Sequence, residues 1–493
     1  MNIQIKDQIV PSIEFGNKFS TFQNSVINRY QGFSISLSER KRLLVLGDVL
    51  LVALAVVGAL YLWQQTANAG LDVASQVEAR WYWFPVLFGG WLVLAWLNDL
   101  YDIPSSFGKM TSAARVLVVG IINLLIYLPV FFLIPSQLPR TFFLYFLVIV
   151  WPAITIWRWI YAVLFSRLPH RVLIVGQGRR ANTIASALKE ASKLNFQVLG
   201  YVDDRVPTPR TADDGLPVFG RAVDLLDLVQ QLQIHEIVVA VERRLRTNLF
   251  ESLVECQANR VQVSVMSDLY GKLCRKIPVE HIDPGWAMNA IQDRPVFNRL
   301  DLGFKRLLDI IFGFVGLLVL IMILPFVALA IRLDSAGPIF YSQVRSGRAG
   351  KPFRIVKFRT MTKDAEKDGQ ARWATEGDAR ITRVGHILRK TRLDELPQVA
   401  NVLRGEMSII GPRPERPEFI EELEHDVPFY RTRLMVKPGL TGWAQIHYHY
   451  GNSVEDALIK LQYDFYYLRY WSIWLDMYII FRTFGVAFRF KGT

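Results

Sequence analysis

The sequence has few cysteines and few charged residues. Its 493 residues include two cysteines, Cys256 and Cys274, which are too few for a disulfide framework or a four-cysteine zinc site. Charged residues make up 20% of the chain, hydrophobic residues make up 51%, and the mean hydropathy is +0.22. This composition excludes a disordered protein and argues against an ordinary soluble enzyme. We expect both cysteines to be reduced and to lie in a cytosolic part of the fold.

Acidic residues are outnumbered by basic ones. The chain has 57 Lys and Arg against 44 Asp and Glu, which gives a formal net charge of +13. Such an excess suits nucleic acid, an anionic membrane surface or a phosphorylated substrate. The first 37 residues contain no apolar core of a signal peptide, so we predict a polar amino-terminal tail over residues 1–37 without a cleavable signal.

Four long apolar runs predict a transmembrane module over residues 38–168. They cover residues 43–63, 81–97, 116–134 and 141–165, each near the ~20 residues that cross a bilayer core. Basic residues are concentrated before the first run, between the second and third, and after the fourth. The positive-inside rule therefore predicts four spans with both ends in the cytosol. Asp48 lies within the first run and is expected to pair inside the bundle; the alternative is a polar functional site.

Residues 169–280 alternate between short strands and helices, which predicts a Rossmann-like, doubly wound α/β domain. The turn after its first strand reads Gly176-Gln177-Gly178-Arg179-Arg180-Ala181, the pattern of a dinucleotide-binding turn. Gly176, Gly178 and Ala181 are therefore candidate nucleotide-binding residues. The alternative is a tight turn without a ligand. No Tyr-x-x-x-Lys pair follows at Tyr201 or Tyr270, so a regulatory or dimer-forming domain is favoured over an oxidoreductase. Strands are predicted at residues 172–175, 198–202, 236–240 and 261–265.

A linker containing Pro and Asp is predicted over residues 281–300, ahead of a charge-free run at residues 310–331. Basic residues flank both ends of this run, so the positive-inside rule requires both ends in the cytosol. Pro325 removes a backbone donor and predicts a break of the helix after Leu324. A re-entrant helix over about residues 307–332 satisfies these conditions. The alternative is a plain, kinked fifth span.

Basic residues downstream stand in short motifs stiffened by Pro and Gly. Examples are Gly411-Pro412-Arg413-Pro414 and Lys437-Pro438-Gly439. Cations held in such loops suit a compact phosphate better than a long nucleic-acid duplex.

Two adjacent carboxylates, Asp394 and Glu395, precede Pro397 at the start of a helical pattern. Their ordinary role there is capping and a favourable interaction with the helix dipole. Adjacent residues do not face each other on a helix, so the pair also suits two separate tasks. One carboxylate would attack phosphorus and the other would hold a divalent cation.

Six motifs in the last third together resemble the bacterial sugar transferases, also called monotopic phosphoglycosyl transferases. In chain order they are Lys357-Phe358-Arg359-Thr360-Met361, Arg380-Ile381-Thr382-Arg383-Val384-Gly385, Leu393-Asp394-Glu395-Leu396-Pro397-Gln398, Asn401-Val402-Leu403-Arg404-Gly405-Glu406-Met407-Ser408, Gly411-Pro412-Arg413-Pro414 and Lys437-Pro438-Gly439-Leu440-Thr441-Gly442-Trp443. The resemblance covers about residues 300–493. With the four spans and the α/β domain, the chain resembles the long form, the polyprenyl-phosphate hexose-1-phosphate transferases of exopolysaccharide or O-antigen synthesis.

The resemblance implies transfer of a sugar-1-phosphate from a UDP-sugar to undecaprenyl phosphate, with release of UMP and with Mg²⁺ as cofactor. Asp394 would be the nucleophile that carries a covalent phosphosugar, and Glu395 would be the Mg²⁺ ligand. The matched motifs would supply cations to the phosphates or the uridine nucleotide, namely Lys357, Arg359, Arg389, Arg413 and Lys437. The family's re-entrant helix has a central proline, which maps onto Pro325.

The resemblance also implies a location and partners. The protein would be a multi-pass protein of the bacterial inner membrane, in contact with membrane lipid, with its catalytic domain in the cytosol. It would be a homodimer, would bind no nucleic acid and could contact other glycan assembly enzymes. The predicted fold class is therefore a multi-domain membrane protein: a four-helix transmembrane module, a Rossmann-like α/β domain, and an α-rich monotopic catalytic domain over residues 301–493.

The chain departs from the family pattern at several places. The family commonly has Ser before the central proline, where this chain has Leu324. Where many family members have a Gly-Arg-Asn element, this chain has a segment that contains His447 and His449. A changed contact with the sugar or the acceptor is favoured over a metal site for these two histidines. An aromatic, basic tail after Trp471 predicts an interfacial helix, with core packing as the alternative. The competing functions are an inactive scaffold or regulator of glycan assembly and an NAD-dependent nucleotide-sugar oxidoreductase.

Overall fold

The computed structural model describes most of the chain, in two compact units, Met1–Leu269 and Tyr270–Thr493. The described residues are 37–66, 75, 77–78, 81–102, 108–133, 140–166, 169–191, 196–203, 210–219, 225–242, 245–292, 299–362, 378–448, 451 and 453–488. Nearly all of the predicted polar tail and His449 lie outside these ranges.

The first unit begins with four apolar helices, which confirms the predicted helical module. They are α1 (Leu37–Thr66), α2 (Trp83–Leu97), α3 (Lys109–Leu133) and α4 (Arg140–Ser166). By length and composition α1, α3 and α4 could each cross a membrane. Helix α2 has 15 residues and rises about 22 Å, which is shorter than a bilayer core of about 30 Å. The prediction of a full second span is therefore not met by this helix alone.

A buried ion pair joins α1 to α4. Arg158 Nη2 lies 2.6 Å from Asp48 Oδ2, and both side chains are almost completely inaccessible. Arg158 Nη1 also donates to the carbonyl oxygen of Leu100 at 2.7 Å. A charge this far from water is tolerated only when it is paired. The prediction that Asp48 pairs within the bundle is confirmed.

The rest of the first unit contains a six-stranded sheet flanked by helices. Its elements are β1 (His170–Val175), α5 (Arg179–Glu190), β2 (Phe196–Val202), β3 (Arg210–Thr211), β4 (Pro217–Val218), α6 (Leu225–Leu232), β5 (Glu236–Val239), α7 (Thr247–Ala258) and β6 (Gln262–Val265). The strand order is β3-β4-β2-β1-β5-β6, and every pair except β3–β4 is parallel. All four predicted strands are present to within two residues at either end. Leu173, Ile237 and Leu253 contribute to the core beneath the sheet.

The candidate nucleotide-binding turn between β1 and α5 is filled by a side chain of the protein. Glu242 Oε1 accepts a hydrogen bond from the backbone N–H of Arg179 at 2.9 Å. A Cβ placed on Gly178, whose φ is +113°, would lie 2.6 Å from the same oxygen. Ala181 is fully buried beneath the turn. The carboxylate of Glu242 thus occupies the helix N-terminus at which a dinucleotide-binding turn receives its pyrophosphate.

The second unit contains a short α region, one long apolar helix and a compact α/β arrangement. Helix α8 (Met266–Cys274) crosses the boundary between the units. It is followed by a 3₁₀ turn (Val279–His281), α9 (Pro284–Gln292), α10 (Arg299–Asp334), β7 (Phe340–Ser346), a 3₁₀ turn (Arg348–Gly350), β8 (Pro352–Phe358), α11 (Arg383–Lys390), a 3₁₀ helix (Leu393–Gln398), α12 (Val399–Arg404), β9 (Ser408–Ile410), α13 (Pro417–Asp426), a 3₁₀ helix (Tyr430–Met435), β10 (Gly439–Thr441), α14 (Trp443–His447), α15 (Val454–Tyr470) and α16 (Ile473–Phe488).

The segment predicted as a linker contributes to the core of this unit. Ala287 and Ala290 of α9 are buried in one cluster with Phe419 of α13 and Leu461 and Phe465 of α15. Residues 293–298 fall outside the described ranges. Asp283 and Pro284, two of the residues that suggested a linker, therefore stand at the start of a packed helix, because Pro is favourable in a first helical turn.

Helix α10 combines an apolar outer face with a packed inner face. It runs from Arg299 to Asp334 without interruption, so the predicted break at Pro325 is not observed. Met322 and Phe326 are 73% and 75% exposed. On the opposite side, Leu320 and Ile331 pack into a core with residues of β8, α11 and α12. By length and composition this helix too could cross a membrane.

Helix α16 divides between exposed surface and core. Tyr478 and Ile479 are buried, whereas Trp474 is 65% exposed. Its Asp476 accepts hydrogen bonds from Lys305 Nζ and Tyr467 Oη, at 2.7 and 2.8 Å. Core packing, which the sequence left as the alternative for this tail, is therefore correct for its inner face.

The position of Glu242 leads to a first prediction. The Glu242 carboxylate already accepts a hydrogen bond from a backbone N–H at the start of α5, and its negative charge repels another anion. We therefore expect no saturable binding of NADH to the full-length protein. Nicotinamide fluorescence during titration would measure this. Tight binding by the unaltered protein would contradict the account, and the Glu242→Gln and exposed-site Glu251→Gln variants would show whether the Glu242 charge excludes the ligand.

Candidate active site

The two adjacent carboxylates lie in the first turn of the 3₁₀ helix Leu393–Gln398, which continues into α12. Arg392, just before it, has a left-handed backbone with φ of 56°. Leu393, Leu396 and Val399 pack on the apolar inner face of α10. The same helix that offers an apolar face outward therefore fixes the turn that carries the carboxylates. The predicted position near a helix start is confirmed, although the first turns are 3₁₀ rather than α.

Glu395 is held by two cations from separate parts of the chain. Its Oε1 accepts hydrogen bonds from Lys357 Nζ on β8 at 2.7 Å and from Arg413 Nη2 at 2.8 Å. Burial by itself would raise the pKa of the Glu395 carboxyl, but Arg413 and Lys357 outweigh burial and hold the pKa below its usual range. Glu395 therefore remains ionised.

Asp394 sits beside this cluster without being bonded to it. Its side chain is 8% exposed and makes no hydrogen bond or ion pair with any residue that the structure describes. Burial, followed by the neighbouring charge of Glu395, raises the pKa of Asp394; Lys357, Arg413 and Arg389 oppose this effect. A largely buried carboxylate that has no hydrogen bond to a described residue and lies among cations is the arrangement expected of a nucleophile.

Arg389 is oriented toward this centre from α11. Its Nε donates to Thr360 Oγ1 at 3.0 Å, and its charge acts on Asp394. The structure therefore brings together five of the predicted residues: Asp394, Glu395, Lys357, Arg389 and Arg413.

Two predicted phosphate-binding residues lie elsewhere. Arg359 is 6% exposed, and its guanidinium donates to the carbonyl oxygens of Ser335 and Ala336, at 2.6 and 3.0 Å. These contacts cap the carboxyl end of α10, so Arg359 has a structural role there. Lys437 lies near Gly405, at the far end of α12 from Asp394. Neither residue has a described contact with the carboxylate pair.

A second buried charge cluster supports Arg413 and was not predicted from the sequence. Arg433 Nη2 donates to the backbone oxygen of Arg413 at 3.1 Å and lies 3.0 Å from Asp464 Oδ2. Tyr430 Oη accepts from Arg433 Nη1 at 2.6 Å. The sequence feature that could have indicated this cluster is Asp464, a carboxylate among the apolar residues Leu461, Phe465 and Leu468 of α15.

The His447 side chain contacts nearby residues of its own unit. Its Nδ1 lies 3.0 Å from the carbonyl oxygen of Trp443, and its ring stacks on Tyr463 with centroids 5.5 Å apart. His449 lies outside the described residues. Among the residues that the structure describes, no group of three or more His, Cys, Asp or Glu side chains is arranged to enclose a metal ion.

The carboxylate pair nevertheless fits a magnesium ion whose other ligands are supplied mainly by the substrate. Mg²⁺ commonly takes one or two protein carboxylates and completes its shell with phosphate oxygens and water. Glu395 Oε1 is committed to Lys357 and Arg413, whereas Oε2 has only a 3.4 Å contact with Arg413 Nη1. Oε2 is therefore the atom of Glu395 best placed to meet a cation.

Comparison with known proteins shows the family to which the last third of the chain is similar. Residues 300–490 match the family model described as bacterial sugar transferase, and residues 97–267 match one described as CoA-binding domain. The chain is 38% identical over 222 residues to a UDP-glucose:undecaprenyl-phosphate glucose-1-phosphate transferase of Caulobacter vibrioides, covering 44% of this chain and 82% of that relative. The chain belongs to the bacterial sugar transferase family.

Longer relatives are matched over part of their length. An undecaprenyl-phosphate glucose phosphotransferase of Komagataeibacter xylinus is 34% identical over 323 residues, 64% of this chain and 59% of the relative. A UDP-N-acetylgalactosamine-undecaprenyl-phosphate N-acetylgalactosaminephosphotransferase of Aeromonas hydrophila is 36% identical over 231 residues, 47% of this chain and 53% of the relative. The chain thus spans little more than half the length of these two relatives. Their named sugars differ.

The electrostatics of the carboxylate pair lead to a second prediction. Carbodiimide attacks protonated carboxyls, so labelling of Asp394 should persist at pH values above the ordinary aspartate pKa of ~3.9. Arg389→Gln removes a cation that favours the charged form, and should move the loss of labelling to still higher pH. Arg383→Gln, an exposed change on the same helix, should leave the profile unaltered. Peptide mass spectrometry would measure the extent of Asp394 labelling at each pH. Labelling of Asp394 that falls with pH like that of a free aspartate would contradict the account.

Proposed function

We propose that this protein transfers a sugar-1-phosphate from a UDP-sugar to undecaprenyl phosphate, as the first membrane step of exopolysaccharide or O-antigen synthesis. The observation that supports this most is the buried pair itself. Glu395 is neutralised by Lys357 and Arg413, at 2.7 and 2.8 Å, while the adjacent Asp394 has no described partner. The relatives named above supply the substrate class, since each name specifies undecaprenyl phosphate.

In the proposed first step, a carboxylate oxygen of Asp394 attacks the β-phosphorus of the UDP-sugar. The bond between that phosphorus and the bridging oxygen breaks, and UMP leaves with the electron pair. The sugar phosphate stays on Asp394 as a mixed anhydride. In the second step an oxygen of undecaprenyl phosphate attacks the same phosphorus, forms the lipid diphosphate sugar and releases the Asp394 carboxylate.

The cations around the pair have separate tasks in this scheme. Arg389 and Arg413 would neutralise charge that develops on the diphosphate, and Lys357 would hold Glu395 in place. Bound Mg²⁺, with Glu395 as its protein ligand, would supply further neutralisation of the leaving phosphate. Arg433, which holds the backbone of Arg413, is a positioning residue.

The proposal includes a re-entrant arrangement of α10, with the catalytic part in the cytosol of a bacterial inner membrane. Because the helix is continuous through Pro325, this arrangement requires a bend of the intact helix at that residue rather than a break. Near its start, Arg306 donates to the carbonyl oxygens of Val402 and Leu403, both at 2.7 Å. Near its end, Asp334 accepts from the backbone N–H of Val384 at 3.0 Å. Both ends are tied to one compact unit, which favours the same side of the membrane for both.

The family resemblance also supports two further predictions. One is that the protein forms a homodimer, and the other is that it contacts other glycan assembly enzymes.

The reaction is tested by UMP release from the detergent-purified, full-length protein. The assay contains Mg²⁺, undecaprenyl phosphate and each member of a panel of UDP-sugars. We expect UMP from one or two sugars, which would also identify the hexose. UDP instead of UMP would mean glycosyl transfer and would contradict the Asp394 mechanism. No nucleotide release from any sugar by the folded protein would favour the inactive scaffold.

A third prediction concerns Asp394→Asn. We expect loss of UMP release without loss of stability, because a buried carboxylate whose pKa is raised destabilises the folded state at neutral pH. That penalty is absent below the unfolded-state pKa and grows as the pH rises through the folded-state pKa. Thermal unfolding at neutral pH should therefore be unchanged or slightly higher in the variant.

The matched control is Asp426→Asn, an exposed aspartate at the end of α13. It should retain both UMP release and the unfolding temperature of the unaltered protein. Near-normal turnover by Asp394→Asn would exclude this carboxylate as the nucleophile.

A further inference from the structure

A second cluster of cations lies at the other end of α12 from the carboxylate pair. A Cβ placed on Gly405 would lie 3.5 Å from Lys437 Nζ and 3.6 Å from Arg306 Nη2, so both cations border the space left by this glycine. Gly405 has φ of +85°, a left-handed conformation that other residues rarely adopt. The sequence thus leaves an open space at the point where two positive side chains converge.

Lys437 has no compensating partner among the residues that the structure describes. Its ammonium makes no hydrogen bond or ion pair with any residue that the structure describes. Burial, and then the charges of Arg306 and Arg348, lower the pKa of Lys437, and Asp309 only partly opposes them. Asp309 Oδ1 is already bonded to Ser408 Oγ and to the backbone N–H of Ile409, both at 2.8 Å. An external anion would relieve the repulsion.

Arg306 is fixed in this position. Its two terminal nitrogens donate to the carbonyl oxygens of Val402 and Leu403 at the end of α12. These bonds neutralise the negative end of the short helix, which would otherwise repel an anion. Arg306 therefore offsets a potential that would oppose an anion beside Lys437, and the direct contact with the anion is left to Lys437.

The surroundings of the cluster indicate what the anion belongs to. Arg306 lies on α10, where Leu300, Phe304 and Leu307 are 72%, 56% and 51% exposed. An apolar helix face bordered by cations is the pattern of a surface in contact with lipid tails and headgroups. The anion is therefore expected at the boundary between the apolar and polar parts of a membrane.

The distance from the reaction centre separates this cluster from the transfer chemistry. Asp394 and Gly405 are separated by eleven residues of helical chain, which correspond to roughly 15–20 Å. A phosphate at Lys437 is thus too far from Asp394 to be the reacting group.

We infer that Lys437 and Arg306, with Arg348 nearby, form a binding site for the phosphate headgroup of a membrane lipid, distinct from the catalytic centre. The headgroup would accept a charge-assisted hydrogen bond from Lys437 Nζ, while the acyl or prenyl chain would lie along the exposed face of α10. This inference does not depend on the proposed transferase reaction. It reassigns Lys437 from the nucleotide sugar to the membrane.

The site is tested by lipid binding to the full-length protein in detergent, without any turnover. The probes are phosphatidylglycerol, undecaprenyl phosphate and, as the phosphate-free reference, a diacylglycerol. Native mass spectrometry would give the bound fraction at each lipid concentration. The variants are Lys437→Gln, Lys437→Arg and the exposed-site control Lys189→Gln in the first unit.

We expect Lys437→Gln to weaken phosphatidylglycerol binding about fivefold, the effect of one cation near a membrane surface. Lys437→Arg should restore most of the affinity, and Lys189→Gln should leave it unaltered. A loss confined to undecaprenyl phosphate would support the site and show that it holds a non-reacting molecule of this lipid rather than phosphatidylglycerol. The inference would be overturned if Lys437→Gln bound phosphatidylglycerol and undecaprenyl phosphate as tightly as the unaltered protein does. It would also be overturned if the substitution weakened diacylglycerol binding by the same factor.

Discussion

The pairing of Glu395 with two cations, both of which donate to its Oε1, is the interaction on which the rest of the catalytic region depends. Two adjacent carboxylates are buried in one turn, which is costly unless at least one of them is neutralised. Lys357 of β8 and Arg413 of the loop after β9 neutralise Glu395, at 2.7 and 2.8 Å. Asp394 is then left ionisable, with no hydrogen bond to the part of the chain that the structure describes. The arrangement explains why the strand β8 and the Gly411–Pro414 loop must be fixed relative to the 3₁₀ helix.

Helix α10 is the scaffold of that arrangement as well as the apolar surface of the unit. Its inner face packs on the 3₁₀ helix that carries the pair, and Arg359 caps its carboxyl end. Its outer face carries Met322 and Phe326, both more than 70% exposed. A structural helix that is also lipid-facing would hold the carboxylates at a fixed depth relative to the bilayer. The proposed reaction needs this, because one of its substrates is a lipid and the other is soluble.

Local patterns in the sequence predicted the strands of the α/β domain, the apolar helices and the turn at Asp394, because each depends on residues close in the chain. They failed where distant residues decide the outcome. Arg359 and Arg413 look alike as motif cations, yet only Arg413 reaches Glu395, since Arg359 is used by the end of α10. The local pattern left open whether the turn at Gly178 binds a nucleotide, and it gave no sign that Glu242, more than sixty residues later, accepts a hydrogen bond at the start of α5.

The proposed two-step transfer requires Asp394 to become covalently bonded to the sugar phosphate. The most direct measurement is the intact mass of the full-length protein after incubation with its UDP-sugar and Mg²⁺ in the absence of undecaprenyl phosphate. We expect a mass increase of one sugar phosphate that maps to Asp394 and disappears when the lipid acceptor is added. Product formation that requires both substrates together, with no adduct under any condition, would contradict a two-step transfer through this carboxylate.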